Sequence, residues 1–364
     1  MRKIFIIFFV WLVIANLFAV AGANRFNLES DTAYAWIDPA KAMPQQTWDI
    51  TSLHVKWDSY WHMDIAQNGY SFAGPGQLSN LVFFPVYAFV IRLIDVFVAG
   101  DAALAGWLAS AVALLGALIF FYKLVKEFHP DVDAYQPLIF LLIFPTAFFL
   151  NAVYTEAVFL LLSLACFYYA FRKNFLLAGL FGLAASLTRV TGVLLFVPLL
   201  WQYYQLYGVR FTKNFLPLMM IPAGLFGFFL FHYLRFGDAL LFFKIESTWG
   251  RNFTVNTDHF VLTGHPAIVN LSLDLLFIAF AILVTYFVFR KLNAAYGLYM
   301  LATVTVALGS GSMMSIGRYI LVLFPIFILL ARIKNEYIKL GWAFTSILLF
   351  ALYTMLFVNY YWAG

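Results

Sequence analysis

Residues 56–70 read KWDSYWHMDIAQNGY and form a polar island in a chain that is otherwise mostly apolar. The island contains two carboxylates, Asp58 and Asp64, one histidine, His62, and four aromatic rings. It follows the first apolar run of the chain, so we expect it in a water-facing loop on the far side of a membrane. Carboxylates on an aromatic-lined loop of a membrane protein indicate chemistry on a sugar or a lipid headgroup.

The composition excludes an ordinary soluble protein. Apolar residues make up 64% of the 364 residues and charged residues only 11%, with a mean hydropathy of +0.88. A soluble domain has about 45–50% apolar and about 25% charged residues, and this much apolar surface cannot be hidden in one core. The chain is therefore predicted to cross a membrane many times.

The charge and the cysteine content narrow the class further. The basic residues behind the net charge of +5 are scattered between apolar runs, which indicates cytoplasmic loops rather than a nucleic-acid surface. The single cysteine, Cys166, lies inside an apolar run. No disulfide within the chain is possible, and no thiolate metal site is predicted.

The basic residues also predict the topology. Runs that could cross the membrane lie at 4–23, 102–122, 136–150, 155–171, 175–188, 191–206, 215–235, 271–289, 295–309, 318–331 and 340–360. Basic clusters flank alternate runs, at Arg2, Lys3, Lys123, Lys126, Arg172, Lys173, Arg210, Lys213, Arg290, Lys291, Arg332, Lys334 and Lys339. Placing every cluster in the cytoplasm predicts about eleven transmembrane helices, with an inner N-terminus and an outer C-terminus.

One further run, 82–98, is ambiguous. Counting it as a crossing would place Lys123 and Lys126 outside. Its Arg92 and Asp95 would also each cost about 2.5–3.5 kcal/mol at the bilayer centre. We therefore predict a juxtamembrane or re-entrant helix within the first outer loop.

The organisation predicted for the chain is an all-α integral membrane protein with a single domain, residues 1–364. Its two large outer loops are 24–101 and 236–270, and the first carries juxtamembrane helices. Arg2 and Lys3 before an apolar run also fit a cleavable signal peptide. Because Ile4–Val20 is longer than a typical signal-peptide core, we expect the first helix to be retained.

Most polar residues that could carry chemistry fall in the predicted outer segments. They are Asp49, His54, Asp58, His62, Asp64, Asn151, Tyr154, Glu156, Arg189, Lys244, Glu246, Trp249, Arg251, His259, Ser310, Ser312 and Arg318. A carboxylate can accept the proton of an attacking hydroxyl. Arginines can stabilise a departing phosphate through bidentate contacts. Together at one membrane face, these groups favour transfer from a phosphate leaving group.

Several candidates also have a purely structural interpretation. Asp64 is also compatible with a solvated loop position that does not touch substrate. Glu156 and Arg189 could form a structural ion pair, although burying such a pair is costly unless it lines a wet cavity. Arg318 could be an interfacial anchor. The histidines show no metal-ligand spacing, so no metal is predicted.

Six short elements occur in a specific order between about residue 48 and residue 335. They are Lys56-Trp57-Asp58 with His62, Ile65-Ala66 and Gly69-Tyr70; Phe83-Phe84-Pro85-Val86-Tyr87; Tyr154-Thr155-Glu156-Ala157; Thr188-Arg189-Val190-Thr191-Gly192; Gly237-Asp238 through Trp249-Gly250-Arg251; and Arg318-Tyr319 with Phe324-Pro325. In this order they resemble the PIG-V family, which includes the second mannosyltransferase of GPI-anchor assembly and shorter bacterial homologues. The chain departs from the family pattern at Lys56, often Arg, at Thr155, often Ser, and in being much shorter than the GPI enzyme.

The resemblance implies a GT-C type glycosyltransferase fold and activity. Such enzymes take a sugar, usually mannose, from a polyprenyl- or dolichyl-phosphate donor and act on the outer or luminal face with inversion. The family's first-loop catalytic residue corresponds to Asp58. The residues expected to bind substrate are Trp57, His62, Asp64, Tyr154, Glu156, Arg189, Trp249, Arg251 and Arg318.

The expected partners follow from the same resemblance. They are the lipid-linked donor, a glycan, glycolipid or protein acceptor, and membrane lipids, with no nucleic acid and no cofactor. The expected location is a bacterial plasma membrane, or the endoplasmic reticulum membrane if the protein is eukaryotic.

Two other classes remain as alternatives. A lipid or sugar transporter or flippase would show paired repeats and ionisable residues at mid-membrane, whereas here the charges cluster at helix ends and outer loops. A non-catalytic membrane assembly factor would keep the scaffold without the activity. The presence of Asp58 argues against that second alternative.

Overall fold

The structure, a computed structural model, describes residues 1–25, 50–251, 265–310 and 315–362. Within these ranges the regular structure is helical and no β-strand occurs, which confirms the predicted all-α class. The α-helices are α1 (Arg2–Arg25), α2 (Asp58–Asn68), α3 (Pro85–Asp95), α4 (Ala102–Phe128), α5 (Gln136–Leu142), α6 (Glu156–Phe171), α7 (Phe175–Ser186), α8 (Phe196–Tyr207), α9 (Met220–Phe236), α10 (Leu241–Thr248), α11 (His265–Lys291), α12 (Ala294–Gly309), α13 (Ile316–Leu321), α14 (Pro325–Ala331) and α15 (Glu336–Val358). Short 3₁₀ helices occur at Ser52–His54, Asn80–Val82, Ala147–Asn151, Val190–Leu195 and Leu216–Met219.

The long helices are those of an integral membrane protein. Among the described residues, five helical segments are long and apolar enough to cross a bilayer, at Arg2–Ala23, Ala102–Phe128, Leu216–Phe236, Ser272–Lys291 and Glu336–Val358. Three apolar helices, α6, α7 and α12, are shorter. The predicted count of about eleven crossings stays a prediction.

Prolines divide two of the apolar runs. In the run 136–150, α5 ends at Leu142, ahead of Pro145, and a 3₁₀ helix completes the segment. In the run 318–331, α13 ends at Leu321 and Pro325 is the first residue of α14. Proline disfavours helical geometry in the residue before it and is well accommodated in the first turn of a new helix.

The ambiguous segment 82–98 contains α3, which has 11 residues. A helix of that length is about 16 Å long, whereas the apolar core of a bilayer is about 30 Å thick. The helix buries Tyr87, Ala88 and Ile91 and packs on α4. Its length therefore favours a helix that does not cross, although its place relative to the membrane stays a prediction.

The described residues divide into two compact units. The first comprises the described residues of Met1–Tyr70, Pro85–Leu164 and Leu330–Ala363. In it, α1 packs against α15 and α4, and α2 packs against α3 and α4. Glycine allows α1 and α15 to approach each other closely: a Cβ atom on Gly22 would lie 2.9 Å from the Cα atom of Met355. The prediction of a single domain is not tested by this division and stays a prediction.

The second unit comprises Ser71–Phe84 and the described residues of Ala165–Leu329. In it, α7 packs on α9, and both α8 and α11 pack on α12. Its core includes Phe167, which lies 5.2 Å from Phe324 and 5.4 Å from Tyr299 between ring centroids. Close packing of α7 and α9 needs glycine at position 182, since a Cβ atom there would come within 2.5 Å of Ile221.

Candidate active site

Asp58 is the first residue of α2, and the backbone ahead of it is strained. Trp57 has φ 42° and ψ −106°, a backbone conformation that residues other than glycine rarely adopt. Two hydrogen bonds close the turn. The backbone amide of Ser59 donates to the carbonyl of Lys56 at 3.0 Å, and the backbone amide of Lys56 donates to Oγ of Ser59 at 3.1 Å. Asp58 itself is half-buried. Its carboxylate therefore lies at the positive end of an 11-residue helix.

Aromatic rings from the end of α15 and just beyond surround the residues before Asp58. The ring of Trp57 lies 5.5 Å from Phe357, 5.9 Å from Tyr360 and 5.2 Å from Trp362. Nζ of Lys56 lies 3.6 Å from the centroid of the Tyr360 ring. Burial lowers the pKa of Lys56 to about 7. We call residues 56–58 the Lys56–Asp58 corner.

His54 supports this corner from the other side. Its Nε2 lies 2.7 Å from Oδ1 of Asn16, and its ring stacks on Trp107 with 5.6 Å between centroids. Its carbonyl accepts the amide of Val153 at 3.0 Å. Burial, and then the charge of Lys56, lower the pKa of His54 to about 3. The imidazole is therefore neutral at physiological pH and acts as a structural group.

A buried polar network follows one helical turn after the acid. His62 is buried, and its ring meets Tyr87 edge-on at 5.1 Å. The Tyr87 hydroxyl lies 2.8 Å from Oγ of Ser110. Burial raises the pKa of Tyr87, and the charge of Glu156 raises it further. The phenol therefore stays protonated and links α3 to α4 beside α2.

Other predicted site residues of the first unit are less accessible or face elsewhere. Tyr154 and Glu156 are both fully buried, and the Tyr154 ring packs 4.9 Å from Phe149. Asp64 accepts a hydrogen bond from Nδ2 of Asn68 at 2.8 Å. It lies six residues after Asp58, about 120° around the helix from it. Asp58 and Asp64 therefore lie on different sides of α2.

In the second unit, arginines gather around one buried tyrosine. Nη1 of Arg251 donates to the Tyr319 hydroxyl at 3.0 Å, and the Arg189 guanidinium lies 5.2 Å from the centroid of the same ring. Arg318, next to Tyr319 in the chain, is buried and interacts electrostatically with Arg251. Glu246 lies 3.8 Å from Nε of Arg251. We call Arg189, Arg251, Arg318 and Tyr319 the Tyr319 arginine cluster.

A glycine sets the position of Arg189. The Arg189 carbonyl accepts the amide of Gly192 at 2.9 Å at the start of the 3₁₀ helix Val190–Leu195. A Cβ atom on Gly192 would overlap the carbonyl oxygen of Ala185 at the end of α7. Only glycine therefore allows this turn to pack against α7 and direct Arg189 toward Tyr319.

Trp249 joins two of the sequence elements within the second unit. It follows α10 directly, and its ring meets Phe83 edge-on at 6.2 Å. The neighbouring Phe84 packs on Phe228 at 4.5 Å and on Phe242 at 5.7 Å. These contacts anchor the stretch that leads to Arg251.

The expected absence of a metal stays a prediction. The part of the chain that the structure describes contains no group of three or more His, Cys, Asp or Glu side chains placed to hold a metal ion. Asp49, His259 and Ser312 lie outside the described residues.

Sequence reasoning missed the residues that organise both groups. Tyr319 directly follows Arg318, and Tyr87 closes the Phe83–Tyr87 element, so both were adjacent to recognised signals. Lys56 was recognised as part of the first element and as a departure from the family pattern, but not as a contact of Tyr360. Tyr360 had no local signal, because its importance depends on a contact between distant parts of the chain.

The comparisons with known proteins agree with these elements. No family model matches the chain. Over 145 residues it is 29% identical to GPI mannosyltransferase 2 from two strains of Cryptococcus neoformans var. neoformans serotype D. The resemblance to the PIG-V family is confirmed. The match covers 38% of this chain and spans only 34% of the length of the curated relatives.

The fold is similar to that of ArnT from Cupriavidus metallidurans, whose crystal structure contains undecaprenyl phosphate. The TM-score is 0.53 at 12% sequence identity, covering 86% of this chain and 74% of the ArnT chain. This likeness agrees with the GT-C type fold implied by the sequence elements.

Proposed function

We propose that this chain is a membrane mannosyltransferase that takes its sugar from a polyprenyl-phosphate-linked donor. The partial similarity to GPI mannosyltransferase 2 supports the reaction class and the sugar. The likeness to ArnT, solved with undecaprenyl phosphate, supports the donor class. The observation that carries the proposal is the half-buried Asp58 at the start of α2, directly after the strained backbone of Trp57.

In the proposed reaction Asp58 is the base. An acceptor hydroxyl attacks the anomeric carbon from the face opposite the phosphate, which inverts the configuration. Its proton passes to the Asp58 carboxylate as the new glycosidic bond forms. The bond from the anomeric carbon to the phosphate oxygen breaks, and its electron pair leaves with polyprenyl phosphate. A nearby anion also stabilises positive charge that develops on the sugar ring.

The Tyr319 arginine cluster is proposed to hold the donor phosphate. Guanidinium groups match phosphate oxygens in planar, bidentate geometry. Three arginines around one tyrosine supply the positive charge that a departing phosphate needs. The further residues proposed to bind substrate are Trp57, His62, Asp64, Tyr154, Glu156 and Trp249.

The finer topology is part of the same proposal. About eleven crossings would place residues 24–101 and 236–270 on the extracytoplasmic or luminal side, where the acceptor is a glycan, a glycolipid or a protein. The proposed location is a bacterial plasma membrane, or the endoplasmic reticulum membrane if the protein is eukaryotic.

The test is donor turnover by purified protein in lipid nanodiscs, with polyprenyl-phosphate mannose as the probe and host membranes as the acceptor source. Replacing Asp58 by Asn keeps its shape and removes its basicity. We expect turnover to fall roughly 100-fold or more with donor binding near normal. Asp133→Asn is the matched control, with the same chemical change at an exposed position between α4 and α5 and outside the proposed site, and should stay near wild type.

Two results would contradict the proposal. An Asp58→Asn protein that purifies well and keeps more than about a tenth of wild-type turnover would remove Asp58 as the base. A wild-type protein that consumes a polyprenyl-phosphate donor of another sugar, but not the mannose donor, would overturn the choice of mannose.

A further inference from the structure

The end of α15 and the residues after it form an aromatic clamp on the Lys56–Asp58 corner. We define the clamp as Phe357, Tyr360 and Trp362, whose three rings all lie within 6 Å of the Trp57 ring between centroids. Asn359 fixes the clamp to α1, because its Nδ2 donates to the carbonyl of Gly22 at 3.1 Å. The clamp is therefore packed and hydrogen-bonded within the first unit.

Tyr360 contacts residues on both sides of Asp58. Its ring lies under the Lys56 ammonium at 3.6 Å and against Trp57 at 5.9 Å. Its hydroxyl lies 3.3 Å from the hydroxyl of Tyr60, in the first turn of α2. Tyr360 therefore contacts Lys56 and Trp57, which precede Asp58, and Tyr60, which follows it. Tyr360 itself has φ 63°, so its own backbone is held in an unusual conformation.

The strained backbone of Trp57 makes this contact important for Asp58. A positive φ at a bulky residue persists only when the surrounding structure holds it. The dihedral angles of Trp57 set the direction in which α2 leaves the corner, and Asp58 is the next residue. The buried ammonium of Lys56 over the face of Tyr360 is a cation–π contact of the kind that strengthens when water is excluded.

We infer that Tyr360 is a positioning residue for Asp58: through Lys56 and Trp57 its ring holds the corner in the geometry in which the carboxylate reaches the acceptor hydroxyl. This inference rests on the proposed function of Asp58. The contacts of the clamp lie on both sides of Asp58, whose proposed role belongs to the chemical step rather than to donor binding. Loss of the clamp should therefore lower kcat and leave the KM for the donor unchanged.

The experiment compares three variants in nanodiscs with polyprenyl-phosphate mannose as the probe. Tyr360→Leu removes the ring, and we expect kcat to fall roughly 10- to 100-fold at unchanged donor KM, since small displacements of a catalytic group have effects of that size. Tyr360→Phe keeps the ring and should retain most of the wild-type kcat. Phe344→Leu is the matched control, because Phe344 is an exposed ring on α15, the helix that precedes Tyr360, and should behave as wild type.

A second measurement does not depend on activity. Lys56 is only 4% exposed, so an amine-reactive ester should leave it unmodified in the wild type and in Tyr360→Phe. Mass spectrometry should find it modified in Tyr360→Leu. Lys56→Met removes the cation and leaves Tyr360 in place; it tests the same contact, with the same expected loss of kcat, if Tyr360→Leu does not fold.

Three outcomes would overturn the inference. They are a wild-type kcat for both Tyr360→Leu and Lys56→Met, an equal loss of kcat in Tyr360→Phe and Tyr360→Leu, or a donor KM that rises in step with the fall in kcat. If Asp58→Asn is inactive while Tyr360→Leu turns over normally, only the inference fails. If Asp58→Asn keeps wild-type turnover, the base assignment fails and the inference fails with it.

Discussion

At the scale of single residues, His54 makes the stability of the first unit depend on pH. Burial, and then the charge of Lys56, lower its pKa from 6.5 to about 3 in the folded protein. Between these two values the unfolded chain binds a proton that the folded chain does not, so stability falls as the pH falls through this window. Above pH 6.5 the contribution of His54 no longer changes. We expect the Tm in detergent to be lower at about pH 5 than at about pH 7.5.

The variant His54→Gln tests whether His54 causes this pH dependence of the Tm. Glutamine has an amide that can reach Oδ1 of Asn16 and does not titrate, so the variant should lose less Tm than the wild type over the same pH range. The difference between the two slopes is the measurement, because other groups titrate in both proteins. One of them is His129, whose pKa burial and the charge of Arg332 lower to about 4. Equal slopes for His54→Gln and the wild type would contradict the assignment.

At the scale of elements, the turn between α7 and the 3₁₀ helix Val190–Leu195 depends on Gly192. A Cβ atom there would overlap the backbone of Ala185, and backbone atoms cannot move aside. We expect Gly192→Ala to destabilise the protein by about 1–3 kcal/mol. Because Arg189 precedes the same turn, we also expect the KM for the donor to rise. Thermal unfolding in detergent and donor titration measure the two effects.

Gly227→Ala provides the matched control within the second unit. Gly227 lies inside α9, and a Cβ atom there would have no heavy atom within 4 Å. Alanine is favoured over glycine inside a helix by about 0.5–1 kcal/mol. This variant should therefore be as stable as the wild type or slightly more stable. A Gly192→Ala protein as stable as Gly227→Ala would show that the turn tolerates a side chain.

At the scale of the whole molecule, the predicted topology can be tested with single cysteines. The background is Cys166→Ala, since Cys166 is the only cysteine in the chain. Phe97, after α3, and Phe211, after α8, are 86% and 83% exposed. A membrane-impermeant thiol reagent should label Phe97→Cys from outside the cell and Phe211→Cys only after the membrane is opened. The reverse pattern, or protection of both sites, would contradict the eleven-crossing arrangement.

The sequence best predicted properties that sum over many residues and motifs that lie within a few consecutive residues. Composition and the distribution of charge were sufficient for the all-α membrane class, because both sum over many residues. The motif around Asp58 and the turn at Gly192 were recognisable because each lies within a few consecutive residues. The contact of Lys56 with the Tyr360 ring and the hydrogen bond of Arg251 to the Tyr319 hydroxyl were not predictable, because each joins distant parts of the chain. The prolines that divide 136–150 and 318–331 were visible, yet their effect on the helices was not anticipated.

The packing of α1 against α15 has a consequence for how the protein is made. The Asn359–Gly22 hydrogen bond and the packing of α1 on α15 join a helix made early to one made late, and the aromatic clamp joins the end of that late helix to Trp57. At the rate of translation the ribosome needs roughly 15–60 s to proceed from the end of α1 to the start of α15. During that interval Trp57 has no clamp to hold its backbone. If Tyr360 positions Asp58 as inferred above, newly inserted chains should therefore carry the proposed catalytic groups and still be inactive, and activity should appear in a single late step when α15 docks.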